Sequence, residues 1–260
     1  MRTIVLIILT LFTLFSKSVV LAQTQTANQV FHVKLDSPSQ SGTLVLKQVK
    51  GGINVMGYNG KDVIIAVSYN NKDILSSSDT PDSVVYNYYS SRLSIQNLNN
   101  TITVKNRIPK NAVNFKIKVP YKFNLILKTT GNGDIIVNGI EGELELKNVG
   151  DNIIGSNIRG IASADTTSGN IIFDFNSINQ NSYMAFSSYS GRIDITLPSN
   201  VKANLNARSK KGNIISNFKL KTENEIRVSD FSNQLIGKIN GGGTEIYMFT
   251  HFKDIKIHNN

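Results

Sequence analysis

The chain has 260 residues, a formal net charge of +10, and neither cysteine nor tryptophan. The absence of cysteine excludes a disulfide framework, a cysteine-ligated zinc site, a cysteine nucleophile and a lipid anchor on an N-terminal cysteine. The length favours one large domain or two small ones. The excess of positive charge makes an anionic partner a natural candidate.

Residues 1–22 have the pattern of a cleaved signal peptide. Arg2 supplies a positive charge, an apolar run of about a dozen residues follows, and Val20 and Ala22 stand at the small-residue positions of a cleavage site. The alternative is an uncleaved membrane anchor, but the run is shorter than the ~20 residues that span a bilayer. We predict export to the periplasm, the cell surface or the medium, with no transmembrane segment after cleavage and residues 23–29 as a polar leader.

From residue 30 onward the sequence alternates as β-strands do. The clearest stretch is 113–128, where odd positions are apolar and even positions are mostly lysine or asparagine. This period of two puts one set of side chains in a core and the other in solvent, and no stretch has a convincing helical period with caps. We predict an all-β protein with one domain over 30–257, interrupted by a loop excursion at 70–91 that is rich in Ser, Asn, Asp and Pro.

A short phrase of glycine, Asp or Asn, and isoleucine recurs through the second half of the chain. Its leading glycines are separated by 19, 19, 22 and 21 residues. Self-similarity at a fixed period is typical of a solenoid, so we predict a single β-solenoid of stacked short strands with about 20 residues per rung. A β-sandwich of hairpins is the alternative. Capping strands are expected before residue 113 and at 246–257. The phrase begins at Gly131, Gly150, Gly169, Gly191 and Gly212.

These phrases, with Gly52–Gly60, Leu197–Pro198 and Gly237–Gly243, resemble those of the bacterial putative-adhesin family. That family is a domain of unknown function related to the head domains of autotransporter adhesins. The resemblance covers residues 30–257 and implies an exported β-solenoid, and it transfers no catalytic residues. The chain departs from the family pattern at 251–256, where the expected glycine is missing, so a looser corner is expected there.

Charge is unevenly placed along the chain. Residues 83–133 contain no Asp or Glu and eight Lys or Arg, whereas residues 134–174 are acidic. The basic stretch predicts a surface stripe for an anionic polymer, although lysines that merely keep strands soluble would give the same pattern. The opposed segments also permit self-association, and no nucleic-acid-binding motif is present. The candidate stripe consists of Lys105, Arg107, Lys110, Lys116, Lys118 and Lys122.

Residues suited to catalysis or metal binding are few. His32, His251 and His258 have no obvious partners in sequence, so no metal or cofactor is predicted. Glu143 and Glu145 lie on one face of a predicted strand and are the best candidates for a carboxylate pair. We therefore favour an exported, non-enzymatic protein of the cell envelope or surface, with adhesin-like binding or scaffolding and anionic polysaccharide as a candidate ligand.

Two alternatives stay open at this point. One is an envelope polysaccharide hydrolase or lyase of β-helix type, which would use Glu143 and Glu145. The other is a structural or regulatory envelope protein that acts through protein partners.

Overall fold

The computed structural model describes residues 28–69, 93–107, 112–221 and 233–260. Over these residues the chain forms nineteen strands and no helix, so the all-β prediction is confirmed. Among them there is likewise no helix long and apolar enough to cross a membrane. The predicted signal peptide, residues 23–27 of the leader and the loop excursion lie outside the described residues.

In chain order the strands are β1 (Asn28–Lys34), β2 (Gly42–Val49), β3 (Ile53–Tyr58), β4 (Asp62–Tyr69), β5 (Leu93–Leu98), β6 (Thr101–Asn106), β7 (Val113–Pro120), β8 (Phe123–Thr129), β9 (Ile135–Asn138), β10 (Glu141–Asn148), β11 (Ile153–Thr166), β12 (Ile171–Ser177), β13 (Tyr183–Ser188), β14 (Ile193–Leu197), β15 (Ala203–Ser209), β16 (Ile214–Ser216), β17 (Asn233–Ile239), β18 (Thr244–Thr250) and β19 (Ile255–Asn259).

The strands pair in two rows that share one strand. The first row has the order β5-β6-β2-β8-β10-β11-β13-β18-β15-β17. The second row has the order β1-β4-β7-β3-β9-β11-β12-β14-β19-β16. Strands inside each row are parallel, and antiparallel pairs occur only towards the ends. β11 belongs to both rows, its first half pairing in the second row and its second half in the first.

The core lies between the two rows, because each strand turns alternate side chains inward. In the second row the inward positions align isoleucines from strand to strand, and six of these seven are fully buried. In the first row Phe186 packs against Phe173 and Phe175 of the second row, with ring centroids 5.4 and 6.3 Å apart. Parallel, in-register pairing therefore stacks like residues on like residues. The isoleucines in spatial order are Ile53, Ile135, Ile153, Ile171, Ile193, Ile255 and Ile214.

The repeated glycine phrase forms the corners where the chain passes from a first-row strand to a second-row strand. At the end of β13 the buried Ser188 hydroxyl donates to the carbonyl of Gly169 and accepts from the N–H of Gly191, both at 2.8 Å. Ser209 makes the same pair of hydrogen bonds at its own corner. Gly191 must be glycine, because a Cβ there would collide with the carbonyl of Gly169. The phrase is thus a corner motif that registers one strand on the next.

The corner without glycine, at 251–256, keeps the hydrogen bond that the corner hydroxyl donates. The Thr250 hydroxyl donates to the carbonyl of Gly191 at 2.8 Å, and the N–H of Ile193 donates to the carbonyl of Asp254 at 3.1 Å. Lys253 stands where the other corners carry glycine, and the neighbouring Gly212 packs against its carbonyl. The missing glycine therefore does not interrupt the row.

Strand order in space departs from chain order at both ends of the molecule. β19 lies between β14 and β16, and β18 lies between β13 and β15. The prediction that 246–257 caps the stack is therefore wrong, since that segment is internal to both rows. Within the described residues, the longest stretch over which chain order and spatial order agree is 123–197, so the pairing does not confirm a single solenoid with 20-residue rungs.

Candidate binding surface

The outer face of the first row carries the most distinctive surface chemistry of the described residues. Outward side chains on neighbouring strands stand at the same register, so they line up across the row at about 4.8 Å per strand. A charge or an aromatic ring repeated at one register position is therefore converted into a continuous line on the surface.

One such line consists of four lysines, which we call the lysine ladder: Lys105, Lys47, Lys128 and Lys147. Lys105 pairs with Lys47, and Lys128 pairs with Lys147. The two pairs adjoin because Leu46 aligns with Leu127, each one residue before its lysine, although the register becomes irregular just beyond Leu46. All four side chains are exposed.

Carboxylates accompany the lysine ladder at its Lys147 end, where Asp165 is the cross-strand neighbour of Lys147. Its last member, Lys147, lies 3.6 Å from Glu145, and both side chains of this ion pair are about half exposed. Within the described residues, Lys47, Lys105 and Lys128 form no ion pair. Like charges directly opposite one another destabilise a sheet, so this line of cations costs stability that an anionic ligand would restore.

The structure divides the predicted stripe between the two rows. Lys105 joins the lysine ladder on the first row, and Arg107 is exposed just beyond the end of the same strand. Lys116 and Lys118 are exposed on β7 of the second row, so they share an outward face as the alternation predicted. That face lies on the other side of the core from Lys105.

The remaining two residues of the predicted stripe, Lys122 and Lys110, do not connect its first-row part with its second-row part. Lys122 is exposed in the turn between β7 and β8, and Lys110 lies outside the described residues. The cross-strand neighbours of Lys116 and Lys118 in β3 are the uncharged Asn54 and Met56. The second row therefore presents a short basic patch and not a ladder.

Sequence reasoning missed Lys47 and Lys147, although a signal for them exists. Each lysine of the ladder directly follows a buried residue in a pattern of apolar, any, apolar, lysine. In the ladder it reads Ile102–Lys105, Leu44–Lys47, Leu125–Lys128 and Leu144–Lys147. It also occurs at Val113–Lys116 and Phe115–Lys118 of the second row, so it marks outward lysines without assigning them to the ladder. The pattern is scattered over the chain, so counting charge in contiguous windows does not detect it.

Two exposed tyrosines stand further along the same outer face. Tyr183 on β13 is 58% exposed and Tyr247 on β18 is 41% exposed, and their ring centroids are 6.1 Å apart. A shallow groove of about 410 Å³ runs from Tyr183 towards β8, lined also by Glu143 and Glu145. A second groove, of about 180 Å³, adjoins Tyr247 on the other side.

The two glutamates predicted as a carboxylate pair thus line an open groove. A carboxyl group that acts as a general acid is held in an apolar pocket away from water. Glu143 and Glu145 are instead exposed, and Glu145 pairs with Lys147. The geometry suits contacts to a ligand better than proton transfer.

Each of the three histidines lies close to an acidic or an aromatic side chain. His32 Nδ1 lies 3.3 Å from a carboxylate oxygen of Asp62, and His258 Nε2 lies 3.2 Å from Asp194. His251 packs its ring against Tyr189, with centroids 4.9 Å apart. In the part of the chain that is described, no three His, Asp or Glu residues cluster as a metal site would require.

Tyr58 and Asp62 form a coupled pair at the edge of the second row. Partial burial and a hydrogen bond from the Tyr58 hydroxyl to the Asp62 carboxylate raise the pKa of Tyr58 to about 12. The same hydrogen bond, helped by His32, lowers the pKa of Asp62 below its ordinary value. This arrangement stabilises the β3–β4 turn and offers no open site.

No family model and no curated protein matches the sequence. Among solved structures, a putative cell adhesion protein from Clostridium sporogenes aligns over 91% of this chain and 100% of its own, with 13% identity and a TM-score of 0.51. A putative adhesin from Bacteroides fragilis aligns over 90% and 98% of the two chains, with 11% identity and a TM-score of 0.42. The first likeness shows a shared fold, and it supports the resemblance to putative adhesins at the level of fold.

Proposed function

We propose that this protein is an exported, non-enzymatic, adhesin-like module of the cell envelope or surface that binds an acidic polysaccharide on the lysine ladder. The observation that carries the proposal is the ladder itself. Four exposed lysines form two in-register pairs, and these pairs adjoin across the first row although their residues are far apart in sequence. The similar fold of a putative cell adhesion protein from Clostridium sporogenes is compatible with this function.

The geometry suits a polymer better than a small anion. Each lysine of the ladder is exposed to solvent on the outer face of the row, so a single small anion would stay largely hydrated there. A chain of carboxylates or sulfates that crosses the strands would contact one lysine after another. Each exposed ion pair contributes up to about 1 kcal/mol, so useful affinity comes from many weak contacts along the polymer.

The architecture we propose for this module is a β-solenoid whose middle turns follow the chain and whose end turns are inserted out of order. The in-register isoleucines and the hydrogen-bonded corners support it. The corner side chain is a hydroxyl at Thr166, Ser188, Ser209 and Thr250 and an amide at Asn148. A stack of this kind presents a rigid, repetitive face, which suits a repetitive ligand.

The test compares two triple variants that remove the same charge, one from the lysine ladder and one from β7 and the β7–β8 turn. Lys47→Gln, Lys105→Gln and Lys128→Gln together remove most of the lysine ladder, and Lys116→Gln, Lys118→Gln and Lys122→Gln are the matched control. Binding to alginate and to dextran sulfate is measured by calorimetry at low salt, with uncharged dextran as the reference. The ladder variant is expected to bind about tenfold or more weakly than wild type, and the control variant to bind as wild type does.

Circular dichroism and a melting curve verify that both variants fold. Loss of binding in the control variant alone would place the binding site near β7 and would contradict the proposed role of the lysine ladder. Failure of the wild-type protein to bind either acidic polymer would contradict the proposed function.

A further inference from the structure

The tyrosine pair and its two grooves form a second surface feature that the lysine ladder does not explain. Tyr183 and Tyr247 lie on adjacent parallel strands, and Tyr247 is two residues further along its strand than the residue paired with Tyr183. Large aromatic side chains left this exposed, next to grooves, are typical of binding surfaces. The pair offers two apolar ring faces in a row, which we call the tyrosine platform.

The grooves on either side of the platform are lined by both apolar and hydrogen-bonding side chains. The larger groove is lined by Ile126 and Ile161 and by Glu143, Glu145 and Asn124, among others. Its volume of about 410 Å³ falls within the roughly 300–1,000 Å³ of small-molecule sites. Carboxylates and amide oxygens accept hydrogen bonds from hydroxyl groups, and the Asn side chain also donates.

The smaller groove continues the same chemistry beyond Tyr247. Glu245 and Asn204 line it, and the Asn204 amide donates to Glu245 at 2.6 Å, which holds the carboxylate in place. The tyrosine platform, whose two rings are tilted by 35° to each other, thus lies between two polar grooves, so the site is long enough for more than one sugar unit.

Charge separates this site from the lysine ladder. Glu143 and Glu145 line the larger groove, so a polyanion would be repelled there, whereas the smaller groove has one carboxylate, Glu245, and one ammonium group, Lys238. A ligand that stacks apolar ring faces on tyrosine and donates many hydroxyl hydrogen bonds to carboxylates is a carbohydrate without acidic groups. We infer that the tyrosine platform and its grooves bind a neutral oligosaccharide. Its pyranose rings pack on Tyr183 and Tyr247, and its hydroxyl groups donate hydrogen bonds to Glu143, Glu145 and Glu245.

The experiment measures binding of cellohexaose, laminarihexaose, maltohexaose and chitohexaose to the full chain by calorimetry. It is run in 1 M NaCl, where the Debye length is about 3 Å and surface charge is screened. At least one hexasaccharide is expected to bind. The double variant Tyr183→Ala, Tyr247→Ala is expected to bind it about tenfold or more weakly, because the ring faces are lost.

Two controls define the role of the rings. The double variant Tyr183→Phe, Tyr247→Phe keeps both ring faces and should retain binding within about threefold. Tyr121→Ala removes a comparably exposed tyrosine from the turn beyond β7, and it should bind as wild type does. The ladder variant Lys47→Gln, Lys105→Gln, Lys128→Gln should also bind the hexasaccharide normally, so failure of one site is distinguishable from failure of the other.

Three results would overturn the inference. They are silence of the wild-type protein towards all four hexasaccharides at millimolar concentration, equal loss in the Phe and Ala double variants, and binding of oligolysine with no binding of any hexasaccharide. The last result would assign the acidic grooves to a cationic peptide.

Discussion

At the scale of single residues, the corner hydroxyls explain why Ser, Thr and glycine recur at fixed offsets. Ser188 has a buried hydroxyl that both donates and accepts, and it connects two successive corners. Such a group is costly to delete because its partners stay buried without a replacement. The side chain therefore acts as a staple between turns of the chain.

Replacing this staple tests the corner account. Ser188→Ala leaves the N–H of Gly191 and the carbonyl of Gly169 one partner short, and we expect it to lower the free energy of unfolding by about 1–3 kcal/mol. Ser163→Ala, at an exposed outward position of the neighbouring strand, should change it by less than about 0.5 kcal/mol. Urea unfolding curves measure both. Equal effects would contradict the corner role of Ser188.

Tyr58 gives a second prediction at the residue scale. Its pKa in the folded protein is about 12, against an ordinary value of 10.0. A raised folded pKa means that its stabilising effect is complete below pH 10 and is lost as pH rises through about 12. Wild type should therefore lose stability more steeply over this window than Tyr58→Phe. Unfolding midpoints at pH 9, 10 and 11 provide the comparison, and parallel curves for the two proteins would refute the coupling.

At the scale of strands, alternation in the sequence predicts which faces are buried but not which strands are neighbours. Val113 to Leu127 alternate as predicted, and the corner phrase marks the strand starts at Ile153, Ile171 and Ile193. Every rung offers nearly the same isoleucine and hydroxyl to its neighbour, so the local pattern cannot distinguish β16 from β19 as the partner of β14. The pairing of β14 with β19 therefore depends on contacts outside the local repeat.

The absence of cysteine makes the strand order directly testable. Asp194 pairs with Lys256 on the outer face of the second row, whereas Ile215 is two strands away from Asp194. Adjacent strands lie about 4.8 Å apart, which suits a disulfide, while two strands' separation exceeds the reach of roughly 7 Å. The variant Asp194→Cys, Lys256→Cys should form an intramolecular disulfide on mild oxidation, and Asp194→Cys, Ile215→Cys should not. Thiol titration and mass spectrometry show which variant forms the disulfide. A disulfide in the second variant and not in the first would mean that β14 pairs with β16, as chain order would have it.

At the scale of the whole molecule, the long-range pairing that disrupts chain order also creates the surface. β2 inserts between β6 and β8, and it thereby adds Lys47 to a line that already includes Lys105 and Lys128. The basic excess of residues 83–133 is visible in the sequence, but the ladder is not, because its members lie up to 100 residues apart. The same holds for Tyr183 and Tyr247, which only the pairing of β13 with β18 brings together.

The most direct test of the binding face is lysine protection in the intact protein. The chain is acetylated with a limiting reagent in the presence and absence of alginate, and the modification of each lysine is measured by mass spectrometry. The lysine ladder should become several-fold less reactive at Lys47, Lys105 and Lys128, whereas Lys116 and Lys118 on the opposite face should keep their reactivity. Protection of Lys116 and Lys118 with an unprotected ladder would contradict the proposed binding face.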